Sequence, residues 1–218
     1  MGLATLLRVG GVGLLLVGAS VVAAADSDVE RLRAENARLE ARVRELEAEN
    51  AALKGRVGSV DAKAERSVTT SVDEDTDRTS LDMEPSRLEL TGGNRSRHWI
   101  SLHAESGDAQ IGIEAAASNG VYRRAERLEL SLDGTPLSLP VTSRTAAPII
   151  AGPQQARVGE RETVQIAVST DTIARIGAAH EVSGRLGPTT FVLNPEQIAS
   201  FAAVARRLAS PERSGAAK

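Results

Sequence analysis

The chain has no cysteine. Disulfides, thiolate metal sites, a thiol nucleophile and a lipid-bearing cysteine are therefore excluded together. Aromatic residues make up only 2% of its 218 positions: Trp99, Tyr122, Phe191 and Phe201. With so few rings, nucleic-acid bases have almost nothing to stack on. A net charge of −3 is too small to imply a polyanionic partner. Lysine is scarce as well, with 3 against 23 arginines, which reads as a coding bias and not as a function. The familiar catalytic signatures are missing too: there is no G-x-S-x-G, no P-loop and no H-E-x-x-H.

What the chain does have begins at its start. Residues 1–25, MGLATLLRVGGVGLLLVGASVVAAA, carry one charge at Arg8 and then an uncharged run from Val9 to Ala25. Small residues Ala23, Ala24 and Ala25 precede Asp26, the layout of a cleaved secretory signal peptide. An uncleaved membrane anchor is the alternative, although the run is at the bottom of the spanning range and holds four glycines. Ser27 and Glu30 have capping-box spacing, so a helix is expected to start afresh behind the cut. Either way the remainder is expected outside the cytoplasm, periplasmic or secreted.

Residues 27–57 read as a coiled coil. With Val29 at heptad position a, that position is filled by Val29, Asn36, Val43, Asn50 and Val57. Position d then holds Leu32, Leu39, Leu46 and Leu53. β-Branched a residues with leucine at d favour two parallel strands. An asparagine at a is tolerated in an apolar seam when it meets its twin, which selects the parallel, in-register pairing. Across the seam Asp28 faces Arg33, Arg42 faces Glu47 and Glu49 faces Lys54, while Glu35 and Glu40 repel. Such exposed pairs contribute a few tenths of a kcal/mol each, so they tune the pairing that the leucines drive. About four heptads make a rod of roughly 40 Å, ended on this reading by Gly55 and Gly58. A DNA-binding basic zipper is excluded, since its basic region would occupy the space of the export signal.

Residues 58–86 lose apolar periodicity and are expected to be a disordered linker. Asp73, Asp75, Asp77 and Glu84 imitate an EF-hand loop, but Arg78 stands where its turn needs glycine, so no metal is expected.

Residues 87–209 form the expected folded domain: an α+β unit dominated by antiparallel sheet, with one short and one C-terminal helix, then a disordered tail over 210–218. In ERLELSLDGTPLSLPV, Asp133-Gly134 suits a two-residue turn. That register sets Leu130 across from Leu137 and Leu128 across from Leu139. Pro136 and Pro140 then belong to an edge strand over 135–141. ETVQIAV turns Val164, Ile166 and Val168 inward, and a helix from Ser169 or Thr170 carries Ile173 and Ile176. After a further hairpin, Asn194, Pro195 and Gln197 open the last helix with a capping box. Its buried stripe is expected at Ile198, Phe201, Ala205 and Leu208.

The candidate ligand-binding surface is arginine-rich. Arg95, Arg97 and His98 precede Trp99, and Tyr122 is followed by Arg123, Arg124 and Arg127. Brought together, these guanidinium groups would grip a carboxylate or phosphate. No catalytic residue and no cofactor is expected. His103 with Glu105, and His180 with Glu181, read as solvated strand and loop residues.

The order of parts (targeting segment, coiled coil, mostly β domain) resembles that of bacterial envelope scaffold proteins of the rod-shape kind, without the glycine-rich repeats of their domains. The resemblance implies a non-enzymatic scaffold or binding protein of the cell envelope, a homodimer engaging an envelope partner through two heads, without nucleic acid. A membrane contact is expected only if residues 1–25 are retained. An enzyme using a histidine and a carboxylate in the β domain is the other alternative.

Overall fold

A computed structural model describes residues 12–73, 78–91, 96–105 and 108–210, with side chains from Val29 onward. Residues 1–11 of the expected signal segment, and the tail from residue 211, lie outside the described residues. Two compact units result: residues 1–56 and residues 57–218. Among the described residues no helix is long and apolar enough to cross a membrane.

The first unit is helical. Helix α1 spans Val12–Arg66 and crosses Ser27 without a break, so the fresh start expected there is not observed. No proline or glycine interrupts Ala19–Leu53, and alanine-rich sequence carries a helix onward. Side chains at the a and d positions from Val29 to Leu53 stand in solvent.

The second unit starts with the last turns of α1, and this corrects the linker expectation. Gly55 and Gly58 do not end the helix. Each costs about 1 kcal/mol relative to alanine, but the turns beyond them are docked. Ala64 is 1% exposed. Lys63 pairs with Glu196 at 2.5 Å, and Glu65 receives both Arg206 and Arg207. Residues 68–87 are likewise ordered: β1 (Val68–Asp73) and β2 (Arg78–Arg87) form an antiparallel hairpin, and β2 pairs with β4 (Arg97–Glu105). Only Val68, Leu81 and Met83 of this hairpin are buried. An edge hairpin with one solvated face contains few apolar residues, and its polarity imitates disorder. Asp73 sits opposite Arg78 at the hairpin end and Glu84 lies in β2, while Asp75 and Asp77 fall outside the described residues. Among the described residues no cluster of acidic or histidine side chains could hold a metal.

Two antiparallel sheets make up the rest. With β5 (Asp108–Ala117), β8 (Ser143–Ala151) and β9 (Ala156–Val168), the first sheet has the order β1-β2-β4-β5-β9-β8. The second combines β3 (Glu89–Leu90), β6 (Arg127–Leu132), β7 (Thr135–Pro140), β10 (Val182–Leu186) and β11 (Thr189–Leu193) in the order β3-β11-β10-β6-β7. Alternating residues of both sheets bury into one hydrophobic core, with Ile100, Leu102, Ile111, Ile113, Val164 and Ile166 from the first and Leu128, Leu186 and Phe191 from the second. The β6–β7 hairpin takes the expected register, with Leu132 opposite Thr135, and β7 is an edge strand carrying its prolines.

Helices α2 (Thr170–Ala178) and α3 (Pro195–Ala209) pack on each other. Ser169 caps α2, and Asn194 with Gln197 closes the full capping box of α3. The stripe of α3 differs slightly from expectation: Ile198, Phe201, Ala203 and Val204 are buried, while Ala205 and Leu208 are only half-buried.

Candidate functional site

Strand β4 decides the fate of the arginine-rich surface. Its alternation turns His98, Ile100, Leu102 and Ala104 to the core and leaves Arg97, Trp99, Ser101 and His103 on the outer face. Folding does join the two sequence clusters, but through their uncharged members. His98 Nδ1 is hydrogen-bonded to the Tyr122 hydroxyl, and the two rings meet edge to face with centroids 5.5 Å apart. The arginines diverge from this contact. Arg97 and Arg124 point to solvent, Arg127 binds Ser138, and Arg123 is committed to Glu160 at 2.7 Å. Arg95 lies outside the described residues. Among the described members, then, no shared guanidinium clamp for an anion is assembled.

What is assembled is a buried polar cluster under the loop 118–126. Across β4, β5 and β9, the residues His98, Ala115 and Glu162 stand in one row. Tyr122 links the two ends of this row, with its hydroxyl on His98 and its backbone N–H on Glu162. Glu162 is 2% exposed, and its Oε2 accepts the backbone N–H of Val121 at 2.5 Å and of Tyr122 at 2.6 Å. Arg144 donates to the carbonyls of Arg123 and Ala125 from β8. Gly120 lets the loop close on the Glu162 carboxylate, since a Cβ there would stand 2.7 Å from Glu162 Oε1. The cluster is incomplete: His98 Nε2 and Glu162 Oε1 are buried with no hydrogen-bond partner. Burial pushes the His98 pKa below its ordinary value. The Tyr122 phenol is pushed up, by burial first and also by the Glu162 charge. With His98 at 1% and Tyr122 at 0% exposure, neither ring is open to a substrate in this state.

The other two histidines are on the surface. His103 Nδ1 bonds Asp82 Oδ1 at 2.7 Å, across the β2–β4 pair. A β-bulge around Glu84 and Pro85 opens a pocket of about 350 Å³ beside them, with Thr69 and Ser101 on its wall. The Ser101 hydroxyl turns toward β5, reaching the Gly112 carbonyl at 3.5 Å, so it does not complete a nucleophile–base pair with His103. His180 is 96% exposed beside Asp133. The Asp133 carboxyl is held below its usual range by the Glu181 and His180 backbone N–H groups, and then by the His180 side chain. A wider cleft of about 740 Å³ lies on the second sheet, crossed by the Arg185–Glu129 ion pair.

On the helical unit, Val29, Leu32, Leu39, Val43, Leu46 and Leu53 are between 43% and 56% exposed. Asn36 and Asn50 are exposed on the same stripe. These apolar residues recur at the spacing of a coiled-coil seam.

No relative is found. The chain matches no protein-family model, no curated protein and no solved structure.

The sequence reading missed Glu160, Glu162 and Arg144. Glu160 and Glu162 share the parity of Val164 and Ile166 on β9, so an inward position for both was legible. Glu162 opens the expected strand ETVQIAV, but Glu160 ends the proline- and glycine-containing stretch PIIAGPQQARVGE, which reads as a loop; the structure instead pairs that stretch as the β8–β9 ladder.

Proposed function

We propose that this is a non-enzymatic scaffold or binding protein, exported to the cell envelope, in which residues 29–57 pair with a second copy and present two β domains to one partner. The single observation that carries this reading is the seam of valine and leucine left half in solvent on the helical unit. An isolated helix of this length gains little stability in water unless its apolar face is covered. A second copy fits the stripe because Asn36 and Asn50 then meet their twins and three of the four flanking charge pairs attract. Two linked heads bind a repeating or paired target more tightly than one, without any new contact.

Two measurements test this. Light scattering of the mature protein at micromolar concentration is expected to report two chains per particle, falling to one in Leu39→Pro and Leu46→Pro. Affinity capture from envelope extract is expected to weaken when residues 29–57 are removed; equal capture speaks against bivalent binding. N-terminal sequencing separates the secreted form, which starts at Asp26, from an anchored form that keeps its first 25 residues.

An enzymatic role is the second reading, and the Asp82–His103 pair beside its pocket is the observation that favours it. On that reading His103 is the general base, oriented by Asp82. Ordinary partner capture by His103→Gln supports the scaffold reading, whereas loss of a measurable turnover supports the enzyme.

A further inference from the structure

We infer that the loop from Ser118 to Glu126 is an acid-released latch, opened by protonation of His98. This inference stands whether or not residues 29–57 pair. The closed latch is fastened at three points: Glu162 holds the Val121 and Tyr122 amides, Arg144 holds the Arg123 and Ala125 carbonyls, and the Tyr122 hydroxyl is bonded to His98.

The first two fastenings join side chains to loop backbone: the Glu162 carboxylate accepts two amide N–H groups, and the Arg144 guanidinium donates to two carbonyls. The third joins the loop to a buried imidazole, whose ring is tolerated there only while it carries no charge. A neutral ring has one donor and one acceptor, and Tyr122 satisfies the Nδ1 side in either tautomer. With Nδ1–H donating to the Tyr122 oxygen, the neutral ring leaves only an acceptor unmet at Nε2, whereas a protonated ring buries a charged Nε2–H without a partner. The charged and titratable groups around the ring do not repair this. Tyr122 is already bonded to Nδ1. Glu162 lies two strands away across Ala115, roughly 10 Å at the usual strand spacing, and its Oε2 is committed to the loop. Glu160 is farther along β9 and is held by Arg123 and Arg157. Leu88 and Ala115, which flank His98 on the sheet, do not titrate.

An imidazolium at this position is relieved when the loop lifts and water reaches the ring. The sign follows from linkage. His98 has a pKa below 6.5 with the loop closed and an ordinary one with it open. The closed state is therefore fully favoured above about pH 6.5 and loses its advantage as pH falls below it. One proton is taken up on opening, so the opening constant should rise about tenfold per pH unit in that window and level off at the closed-state pKa. For a protein outside the cytoplasm, ambient acidity would then set the state of one end of the core.

Native-state hydrogen exchange on the full chain tests this, following the Val121, Tyr122 and Ala125 amides from about pH 7.5 to about pH 5. After correction for intrinsic exchange, opening should gain about tenfold per pH unit below about pH 6.5, while the β5–β9 ladder stays protected. His98→Gln should flatten the slope, and Tyr122→Phe should raise opening at every pH while keeping it. The double variant His103→Gln with His180→Gln should behave as wild type. A flat wild-type profile, a slope that survives His98→Gln, or simultaneous opening of the β5–β9 ladder would each overturn the latch. If His98→Gln does not fold, the His98 ring resonance in the wild type decides. Titration at its ordinary value with the loop amides unchanged refutes the proposal, and protonation in step with loop opening supports it.

Discussion

Replacing Leu39 and Leu46 with alanine measures what the seam is worth. The two side chains are 56% and 46% exposed in the single chain, so pairing can still cover about half of each. Full burial of a leucine contributes about 1.5–3 kcal/mol, which leaves roughly 1 kcal/mol per side chain for the interface. A dimer holds four such side chains, so the double variant should lose about 4 kcal/mol. At 1.4 kcal/mol per factor of ten, its dissociation constant should rise by roughly three orders of magnitude. Alanine is the best helix former, so the variant keeps its helix and loses only the seam. Sedimentation velocity over a concentration series reads both effects, and Arg38→Ala, at an outward heptad position, is the control. If the double variant sediments as wild type, or if the wild type is one chain at tens of micromolar, the leucines are not an interface.

Two further outcomes test the second unit. At Gly184 a Cβ would stand 2.3 Å from Phe191 Cζ and 3.0 Å from Leu130 Cδ2. Gly184→Ala should therefore cost about 1–3 kcal/mol and lower the melting temperature by about 2–4 °C per kcal/mol; an unchanged melting point contradicts the packing described. The phenol of Tyr122, the only tyrosine, is pushed up by burial. Unfolded chains lose that proton near pH 10, so its contribution is intact below about pH 10 and declines above it. Phenolate absorbance should stay absent at pH 10 until the protein unfolds, and Tyr122→Phe should remove that alkaline loss of stability.

Much of this fold was legible because short-range rules agree with the tertiary structure where they are strongest. Asp133-Gly134 sets the register of β6 and β7, and both residues adopt positive φ as such a turn requires. Asn194, Pro195 and Gln197 define the start of α3 to the residue. The β1–β2 hairpin was not legible, because its stability comes from pairing with β4 and not from its own apolar content. Helix α1 passes Gly55 and Gly58 for a similar reason, since docking of Ala64 and Glu65 outweighs local propensity. Of the candidate site, the sequence named His98 and Tyr122 as members of two arginine-rich clusters but not their contact, which depends on how the loop 118–126 lies on the sheet. The outward turn of Trp99 followed from strand parity, which the expectation of a basic surface had passed over. The role of Glu162 was hidden, since a buried carboxylate that serves loop amides is defined only by a partner forty residues away.

The absence of cysteine makes the decisive test simple. A single Val29→Cys places one thiol at an a position near one end of the seam. Chains lying side by side in the same direction bring that thiol against its own copy, and mild oxidation should yield a covalent dimer in high proportion. If oxidised Val29→Cys stays a single chain, or links only to chains carrying Val57→Cys at the opposite end, the parallel pairing at the centre of this account is wrong.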